Sequence, residues 1–279
     1  MPKLQVPFKR PQHKYAINAA LLGDPHNCAW SNLGLWTQSS SSYVDACEAL
    51  AAELADSVHL NAKDKVLDLG CGQGASLILW KEKYLVKYLE AIELQNEHVL
   101  KNQKFLPHVD KIHQGSFLEL DPAQFEFKFD AALCIDAAYH SDLNSFLSAV
   151  NGVLNSKGRL AFHYLVLSDR YLNLNALDKI KLKFLLKSAD VQLDHLKTTA
   201  QLNNVCEQYG YEMLNIENIS EAVFAGFADY VKSATFKKQI KNTPHHFIDL
   251  IKIKLTAKLC AKLYADGLVE YTQISLRKK

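Results

Sequence analysis

Short apolar runs alternate with segments of helical spacing along the first 167 residues of the chain. Residues 66–69 form a compact apolar run of the kind that is buried on both faces of a parallel sheet. Apolar residues between 44 and 58 recur at helical spacing after Ser42, which is a suitable N-cap. The pattern predicts strands at 66–69, 88–92, around 112, 129–135 and 159–167, helices at 44–58, 74–80, 95–106 and 143–154, and a turn at Gly158.

The regular alternation of predicted strands and helices ends after residue 168, where a mostly helical segment rich in leucine and lysine begins. A helix is predicted at 201–209, followed by Gly210 and a strand at 211–219. Residues 220–265 are again mostly helical, and 268–276 read as a last strand. Strands that alternate with helices predict a doubly wound, mostly parallel sheet of the Rossmann-like α/β class, here with seven strands and a helical cap.

This pattern divides the chain into three predicted parts. Residues 1–60 form an N-terminal arm and helix, residues 61–167 form the ligand-binding core, and residues 168–279 form a helical cap or lid with the last sheet strands. In the cap, residues 177–186 and 247–263 combine leucines with lysines. They predict either an apolar chamber with a basic rim or, as the favoured alternative, ordinary amphipathic helices packed on the sheet.

Composition narrows the class of protein. A formal charge of +2 is too small for a general nucleic-acid binder, so no nucleic-acid partner is expected. No apolar stretch reaches the length of a membrane span, and the N-terminal residues lack the apolar core of a signal peptide. Six widely spaced cysteines favour reduced thiols in the cytoplasm over disulfides or a zinc site. Basic amphipathic helices still permit peripheral lipid contact, and the pattern specifies no oligomeric state.

The stretch KVLDLGCGQGA, residues 65–75, carries the main chemical signal. Asp68 ends the first predicted strand, and glycines follow at 70, 72 and 74 before a helix begins. Ligands of open parallel sheets bind beyond the carboxyl ends of the strands, and a helix N-terminus favours an anionic group. An acid at this place would repel a pyrophosphate but attract a cation. The site therefore predicts a ligand that carries both a carboxylate and a positive charge.

Glu93 ends the second predicted strand, where a carboxylate can accept hydrogen bonds from both hydroxyls of a ribose. With Asp68 and the glycines, it indicates a site for S-adenosylmethionine. Two alternatives remain: GCGQGA also satisfies a dinucleotide fingerprint, and a glycine turn can be merely structural. The acid before the first glycine and the long segment preceding the motif disfavour the dinucleotide, because dinucleotide-binding domains usually begin near their fingerprint.

Several motifs resemble the class I S-adenosylmethionine-dependent methyltransferases. VLDLGCGQG resembles their first motif and AIELQ their second. NLGLW, IDAAYH, FLSAVNGVLNSKGRLAF and GLVEYTQISL together resemble the subgroup acting on small molecules, such as sugar, natural-product and sterol methyltransferases. The resemblance extends from about residue 30 to the C-terminus. It implies an enzyme with S-adenosylmethionine as cofactor and a small molecule as acceptor.

The resemblance also implies a role for individual residues in binding the donor. Asp68, Gly70 and Gly72 would hold the methionine portion, and Gly74 would allow close helix packing. Many relatives carry an acid where this chain has Ser116, and a serine would bond the adenine amine more weakly. The full set of residues implied for donor binding is Trp36, Asp68, Gly70, Gly72, Gly74, Glu93, Leu94, Gln95, Gly115, Ser116, Phe117, Ile135 and Asp136.

Candidate catalytic residues follow the fourth predicted strand. His140 is the first candidate for a general base, because it is a titratable group just after a strand end. Asp136 would orient the base or the substrate, with a helix-capping acid as the structural alternative. Tyr139 and His140 are candidates for contact with the substrate. His163 is a third such candidate, although its position inside a strand favours a core role.

Two further features restrict the chemistry. The place where amide and nucleobase N-methyltransferases carry an Asn/Asp-Pro-Pro-Tyr turn here reads Asp136-Ala137-Ala138-Tyr139, which disfavours a planar amide or base as acceptor. The pair His245-His246 has no partner at metal-ligand spacing, so no metal is expected.

The sequence therefore predicts O-methylation of a small apolar or amphipathic molecule. The alternatives are C-methylation, lipid cyclopropanation, a nicotinamide oxidoreductase and a non-catalytic methyltransferase-like binding protein.

Overall fold

A computed structural model describes residues 18–243 and 247–279 of the chain. The pair His245-His246 and the first part of the predicted N-terminal arm lie outside these described residues. None of the helices in the two described ranges is both long and apolar enough to cross a membrane.

A single eight-stranded sheet forms the centre of the molecule. Seven strands follow one another in the order β3-β2-β1-β4-β5-β8-β7, and the two-residue strand β6 pairs with the end of β5. Strands β1 to β6 pair in parallel, whereas β8 is antiparallel to both β5 and β7. The strands are β1 Lys65–Leu69, β2 Tyr88–Glu93, β3 Lys111–Gln114, β4 Phe129–Cys134, β5 Leu154–Leu167, β6 Lys197–Thr198, β7 Tyr211–Asn218 and β8 Val269–Lys278.

Helices cover both faces of this sheet, as the alternating pattern predicts. The first long helix begins after Ser42, whose side chain accepts a hydrogen bond from the Asp45 N–H at 3.1 Å. The helices are α1 Ala19–Leu22, α2 Tyr43–Asp56, α3 Ala75–Glu82, α4 Asn96–Phe105, α5 Leu143–Val153, α6 Asp169–Leu172, α7 Ala176–Lys187, α8 Thr199–Gln208, α9 Gly226–Lys232, α10 Ala234–Asn242 and α11 Phe247–Asp266.

The predicted fold class is confirmed, with two local differences. Gly158 does not lie in a separate turn, because β5 begins at Leu154 and its pairing with β4 shifts register between Phe129 and Ala131. The strand β6 was not predicted, since a two-residue strand has no period of its own. The residues beyond 168 add three strands to the same sheet as well as the cap helices.

The strand order reverses between β1 and β4, which are neighbours in the sheet. The chain leaves β1 toward β2 on one side and returns to β4 on the other, so the loops after these two strands diverge. Such a switch point leaves a crevice at the carboxyl ends of the strands, where ligands of open α/β sheets bind. The fold therefore places Asp68, which is in β1, beside the residues that follow β4.

Candidate active site

A cavity of about 660 Å³ lies at this switch point. One end is walled by the loops after β1, β2 and β3, and the other by the residues after β4 and by cap elements. Of the sequence-predicted donor residues, it is lined by Asp68, Gly70, Gly72, Glu93, Leu94, Gln95, Gly115, Ser116, Phe117, Ile135 and Asp136. We call the first end the donor half and the second the acceptor half.

The turn after β1 is shaped by glycines with positive φ angles. Gly70, Gly72 and Gly74 have φ values of +79°, +53° and +93°, which side-chain-bearing residues rarely adopt. Gly74 does not line the cavity but packs against α4: an added Cβ would lie 2.7 Å from Asn102 Oδ1. Asn102 also donates a hydrogen bond to the Gly72 carbonyl at 2.9 Å. The turn is thus held close to α4 by its own geometry and by this amide.

Asp68 is 2% exposed and lies at the floor of the donor half. Its Oδ2 accepts a hydrogen bond from Trp80 Nε1 at 2.6 Å. Burial raises the pKa of this carboxyl to about 6, although hydrogen bonds from Ser76 and Trp80 act in the opposite direction. A buried carboxylate without a cationic partner is stabilised by a positive charge brought next to it.

Glu93 lines the donor half as well, but here hydrogen bonding outweighs burial in setting the pKa of the carboxyl. Burial alone would raise its pKa, but His98 and the N–H groups of Gln95 and Gly72 outweigh burial and hold the pKa below its ordinary value. The two N–H groups donate to Oε1 and Oε2 at 2.8 and 2.9 Å. A carboxylate has about four acceptor positions. Glu93 is therefore fixed as an ionised acceptor with capacity for further hydroxyl donors.

The loop after β3 forms the remaining wall. Gly115 donates its N–H to the Glu93 carbonyl at 3.0 Å, which joins this loop to β2. Ser116 Oγ accepts a local hydrogen bond from the Leu118 N–H at 3.2 Å. The Phe117 ring packs edge-on against Phe146, with the ring centroids 5.6 Å apart. Phe117 thus offers a flat apolar surface anchored on α5.

The N-terminal arm contributes a stretch that only partly coincides with the NLGLW motif. Residues 29–33 line the cavity, whereas Trp36 does not. The Trp36 ring instead stacks on Tyr230 with centroids 4.4 Å apart, and its Nε1 donates to the Leu33 carbonyl at 2.9 Å. The expectation that Trp36 closes the donor pocket is therefore corrected, because its ring is packed between the arm and α9. Trp30 occupies the wall instead.

Asp136 is the centre of a hydrogen-bonded cluster in the acceptor half. Its carboxylate accepts hydrogen bonds from Tyr139 at 2.6 Å, Tyr271 at 2.8 Å and the Leu33 N–H at 3.0 Å. Burial raises its pKa to about 6, against the effect of these three donors. Its φ of +51° turns the chain sharply after β4. Helix α5 is capped by Asp142 and not by Asp136, so the capping alternative is wrong.

Tyr271 joins this cluster from β8, at the far end of the sequence. Its ring packs edge-on against Phe224, with centroids 5.5 Å apart, and both residues line the cavity. Neither residue was singled out in the sequence. A tyrosine in an apolar strand reads as core, and only the pairing of β8 with β5 brings it beside Asp136.

His140 and His163 have different surroundings. His140 lines the cavity, and its Nδ1 lies 3.3 Å from the Asp190 carbonyl oxygen. His163 is completely buried, and burial lowers its pKa to about 3. Its Nδ1 accepts the Asp136 N–H at 3.3 Å, and Tyr271 packs over its ring. His163 is therefore a neutral core residue that supports Asp136, and the expectation that it contacts substrate is corrected.

The rest of the acceptor half is mostly apolar. The polar groups other than the Asp136 cluster and His140 are serine and threonine hydroxyls and the edge formed by Lys187 and Asp190. No group of three histidine, cysteine, aspartate or glutamate side chains in the described ranges is arranged to hold a metal ion. The apolar lining residues come from β5, α7, the loop after it, the cap and α11: Leu165, Leu186, Ala189, Val191, Phe224, Leu259, Cys260 and Leu263.

The donor half fits the nucleoside methyl donor on two observations. Asp68 is a buried carboxylate that a nearby positive charge would stabilise, and Glu93 is an ionised acceptor one strand away. Between them, the glycine turn brings bare backbone to the cavity. An acid–glycine turn and a neighbouring carboxylate at the switch point of a Rossmann-like sheet suit S-adenosylmethionine, the donor of the class I methyltransferases.

The comparison with protein families agrees with this class. The chain matches the mycolic acid cyclopropane synthetase family over residues 27–274 and belongs to that family. S-adenosylmethionine is accordingly its cofactor. The predicted class of enzyme and its predicted cofactor are confirmed.

Individual relatives are more distant. The chain is 26% identical over 160 residues to erythromycin 3''-O-methyltransferase of Saccharopolyspora erythraea, a match that covers 54% of this chain and 52% of that enzyme. It therefore spans about half the length of this curated relative.

Solved structures share the fold. A cyclopropane synthase from Mycobacterium tuberculosis superposes with a TM-score of 0.70 at 16% identity, covering 94% of both chains. Geranyl diphosphate C-methyltransferase from Streptomyces coelicolor superposes with a TM-score of 0.63 at 14% identity, covering 96% of this chain and 91% of that one.

Proposed function

We propose that this protein transfers the methyl group of S-adenosylmethionine to a hydroxyl of a small apolar or amphipathic molecule. The observation that carries this proposal is the acceptor half of the cavity. It is mostly apolar, and its main polar groups, Asp136, Tyr139, Tyr271 and His140, lie close together. An apolar cavity with a few converging polar groups binds a largely apolar ligand and orients it by one polar group.

His140 is the proposed general base. A carbonyl oxygen only accepts hydrogen bonds, so the contact with Asp190 favours the tautomer in which Nδ1 carries the proton. The lone pair is then on Nε2, which is able to take the proton of an acceptor hydroxyl. When bound, S-adenosylmethionine supplies an electrophilic methyl group on a sulfonium centre.

Asp136 and its two tyrosines have a proposed orienting role. The carboxylate fixes both phenols through hydrogen bonds of 2.6 and 2.8 Å, and it ties the N-terminal arm to the site through the Leu33 N–H. Holding an acceptor in one orientation and excluding water both lower the barrier to displacement. Asp68, Gly70 and Gly72 are proposed to hold the methionine portion, and Glu93 the ribose.

The other predicted donor contacts remain proposals of the same kind. Leu94 and Gln95 are proposed to flank the adenosine, and Gly115, Ser116 and Phe117 to border the adenine. Ile135 and Asp136, which also line the cavity, are proposed as further donor contacts. Six free thiols are consistent with the cytoplasm as the proposed location.

A second candidate is methylation at carbon, including cyclopropane formation. The aromatic rings of Tyr139, Phe224 and Tyr271 face the same part of the cavity as Asp136. Aromatic faces and a carboxylate stabilise a developing cation, which addition of a methyl group to a double bond creates.

Product analysis tests the proposal and separates the two candidates. Purified protein is incubated with isotopically labelled S-adenosylmethionine and a metabolite extract, and the labelled products are identified by mass spectrometry and NMR. A labelled methyl group on oxygen supports the proposal, whereas one on carbon supports the second candidate. Binding of the donor without any labelled product would instead indicate a non-catalytic binding protein.

The proposed base is tested with the acceptor identified in this way. His140→Ala should slow turnover and leave donor affinity unchanged, because His140 lies in the acceptor half. His108→Ala, an exposed histidine on the chain after α4, is the matched control. Unchanged turnover in His140→Ala would show that His140 is not the base.

A further inference from the structure

The outer faces of α7 and α11 expose a concentration of large apolar side chains. Sixteen large hydrophobic side chains are exposed in the described part of the chain, and eight of them lie on these two helices. Single exposed apolar residues are ordinary on protein surfaces, but apolar patches mark interaction sites. The two helices therefore need a physical account beyond packing on the sheet.

On α7 the exposed apolar residues form one stripe. Leu177, Ile180 and Phe184 are 62%, 52% and 69% exposed. At about 100° per residue, they lie within about 60° of one another around the helix axis. The buried residues Leu182 and Leu186 lie on the opposite face. The stripe is thus separate from the face that packs on the protein.

Helix α11 repeats this arrangement. Its exposed stripe lies within about 100° of the helix circumference and consists of Phe247, Ile248, Ile251 and Leu255. The buried residues again lie on the opposite face, and they are Ile253, Ala257, Cys260 and Leu263.

Lysines flank both stripes. Helices α7 and α11 contain eight lysines and three aspartates, which gives them a charge of +5. The whole chain carries only +2, so the remainder carries −3. On α11, Lys254, Lys258 and Lys262 lie on the same side as the apolar stripe. The surface is therefore both apolar and strongly cationic.

We propose that the stripes of α7 and α11, with the lysines around them, dock this protein on an anionic lipid bilayer. Helices with apolar residues on one face and lysines beside them lie in the interface of anionic membranes. Each lysine near such a surface adds attraction, and the apolar side chains enter the boundary of the acyl chains. The two parts of the surface then act together.

Charge complementarity favours an anionic bilayer over other partners for this surface. A second copy of the chain meeting the same two helices would oppose +5 with +5. Residues 1–17 contain three lysines, one arginine and no acidic residue, so their charge is also of the wrong sign. Nucleic acid would pair with the lysines but would leave the aliphatic residues of the stripes in water. An anionic bilayer satisfies both features of the surface.

The helices that carry the stripes also contribute to the cavity. Lys187 and Ser188 at the end of α7 are exposed and also line the acceptor half. Leu186 from α7 and Leu259 from α11 line the same half. Docking through α7 would bring the exposed Lys187–Ser188 edge of the acceptor half close to the bilayer. The docking does not depend on the proposed methyl transfer, and vesicle binding is measured without donor or acceptor.

Vesicle co-sedimentation of the full chain tests the proposal. We expect binding to vesicles that mix phosphatidylcholine with phosphatidylglycerol, little binding to phosphatidylcholine alone, and weaker binding at high salt. The double variant Phe184→Ser/Leu255→Ser and the double variant Lys254→Glu/Lys258→Glu should each weaken binding about tenfold or more. Leu100→Ser/Leu214→Ser, which changes two exposed leucines elsewhere, is the matched control.

Thermal unfolding and donor affinity are measured for every variant, because neither should change if the fold is intact. Absence of binding by the wild-type chain at low salt would overturn the proposal. Binding that is lost in the lysine variant but fully kept in the serine variant would also overturn it, since the apolar stripes would then have no part in docking.

Discussion

The donor and acceptor halves of the cavity are built in different ways. The donor half comes mainly from three consecutive loops, after β1, β2 and β3, and Glu93 ties two of them together through the Gly72 and Gln95 N–H groups. The acceptor half joins residues that are far apart in sequence: Leu33, Asp136 and Tyr271 meet in one hydrogen-bonded cluster. On the proposed roles, donor recognition rests on local backbone geometry, whereas acceptor orientation rests on tertiary contacts.

Replacement of Asp136 should have the largest effect and should separate the two halves most sharply. Asp136→Asn keeps the shape but weakens the hold on two tyrosines, so turnover should fall about 10²- to 10³-fold, the scale of a lost positioning or proton-transfer group. Donor affinity, measured by calorimetry, should fall much less than turnover, although Asp136 is also among the residues implied for donor binding. A loss of donor affinity as large as the loss of turnover would mean that the halves are not separate.

Tyr271→Phe refines this test, because it removes one of the two phenol donors. Its effect should be smaller than that of Asp136→Asn and should again appear in turnover. Tyr209→Phe, which changes a tyrosine on the chain after α8, serves as its control.

The close approach of Gly74 to α4 gives the next largest effect. In Gly74→Ala, the Cβ would lie 2.7 Å from Asn102 Oδ1 in a backbone conformation with φ of +93°. We expect the free energy of unfolding to fall by about 2 to 4 kcal/mol, measured by denaturant unfolding. Gly115→Ala is the control, since nothing lies within 4 Å of its added Cβ. Equal stability of the two variants would contradict the packing role of Gly74.

The Glu93 carboxylate tests the donor half directly. Glu93→Ala should weaken binding of S-adenosylmethionine by about 1 to 3 kcal/mol, because charge-assisted hydrogen bonds are lost and two N–H groups lose their acceptor. Glu97→Ala changes an exposed acid of the neighbouring helix and should leave affinity unchanged. Calorimetric titration of the three proteins gives the comparison. Unchanged affinity in Glu93→Ala would remove this residue from the donor site.

The smallest effect is the pH dependence of stability that Asp68 produces. Its folded-state pKa of about 6 lies above the ordinary value for an aspartate. The folded chain therefore binds this proton more tightly than the unfolded chain, and stability is lost as the pH rises through 6. From pH 4 to pH 7, the unfolding free energy of the wild type should fall by about 1 to 2 kcal/mol relative to that of Asp68→Asn. A difference that rises with pH would show that the carboxyl is held in its ionised form.

The sequence predicted the elements of the sheet and most of the donor half. The run that ends in Asp68 and the glycines after it are a local signal, because positive φ angles and a strand end are encoded within about ten residues. Glu93 follows the same logic one strand later. The alternation of strands and helices also predicted that neighbouring strands are mostly parallel, since a parallel strand pair requires a crossover connection such as a helix.

Trp36 and His163 are residues whose surroundings could not be predicted from local sequence patterns. Each is an aromatic or titratable residue near a recognisable motif, but Tyr230 covers the first and Tyr271 covers the second. Tyr271 lies in the GLVEYTQISL motif, but it was not identified as a site residue, because a tyrosine in an apolar strand looks like core. The partners in these contacts lie more than 100 residues apart, and no local pattern encodes them.

The sequence by itself determined the class of fold and the acid–glycine turn after β1, because these depend on local periodicity and backbone conformation. Only the tertiary structure decided which side chains face the acceptor and which faces of α7 and α11 remain exposed. Those outcomes depend on how β8 inserts beside β5 and how the cap helices lie against the sheet, and therefore on packing between distant segments.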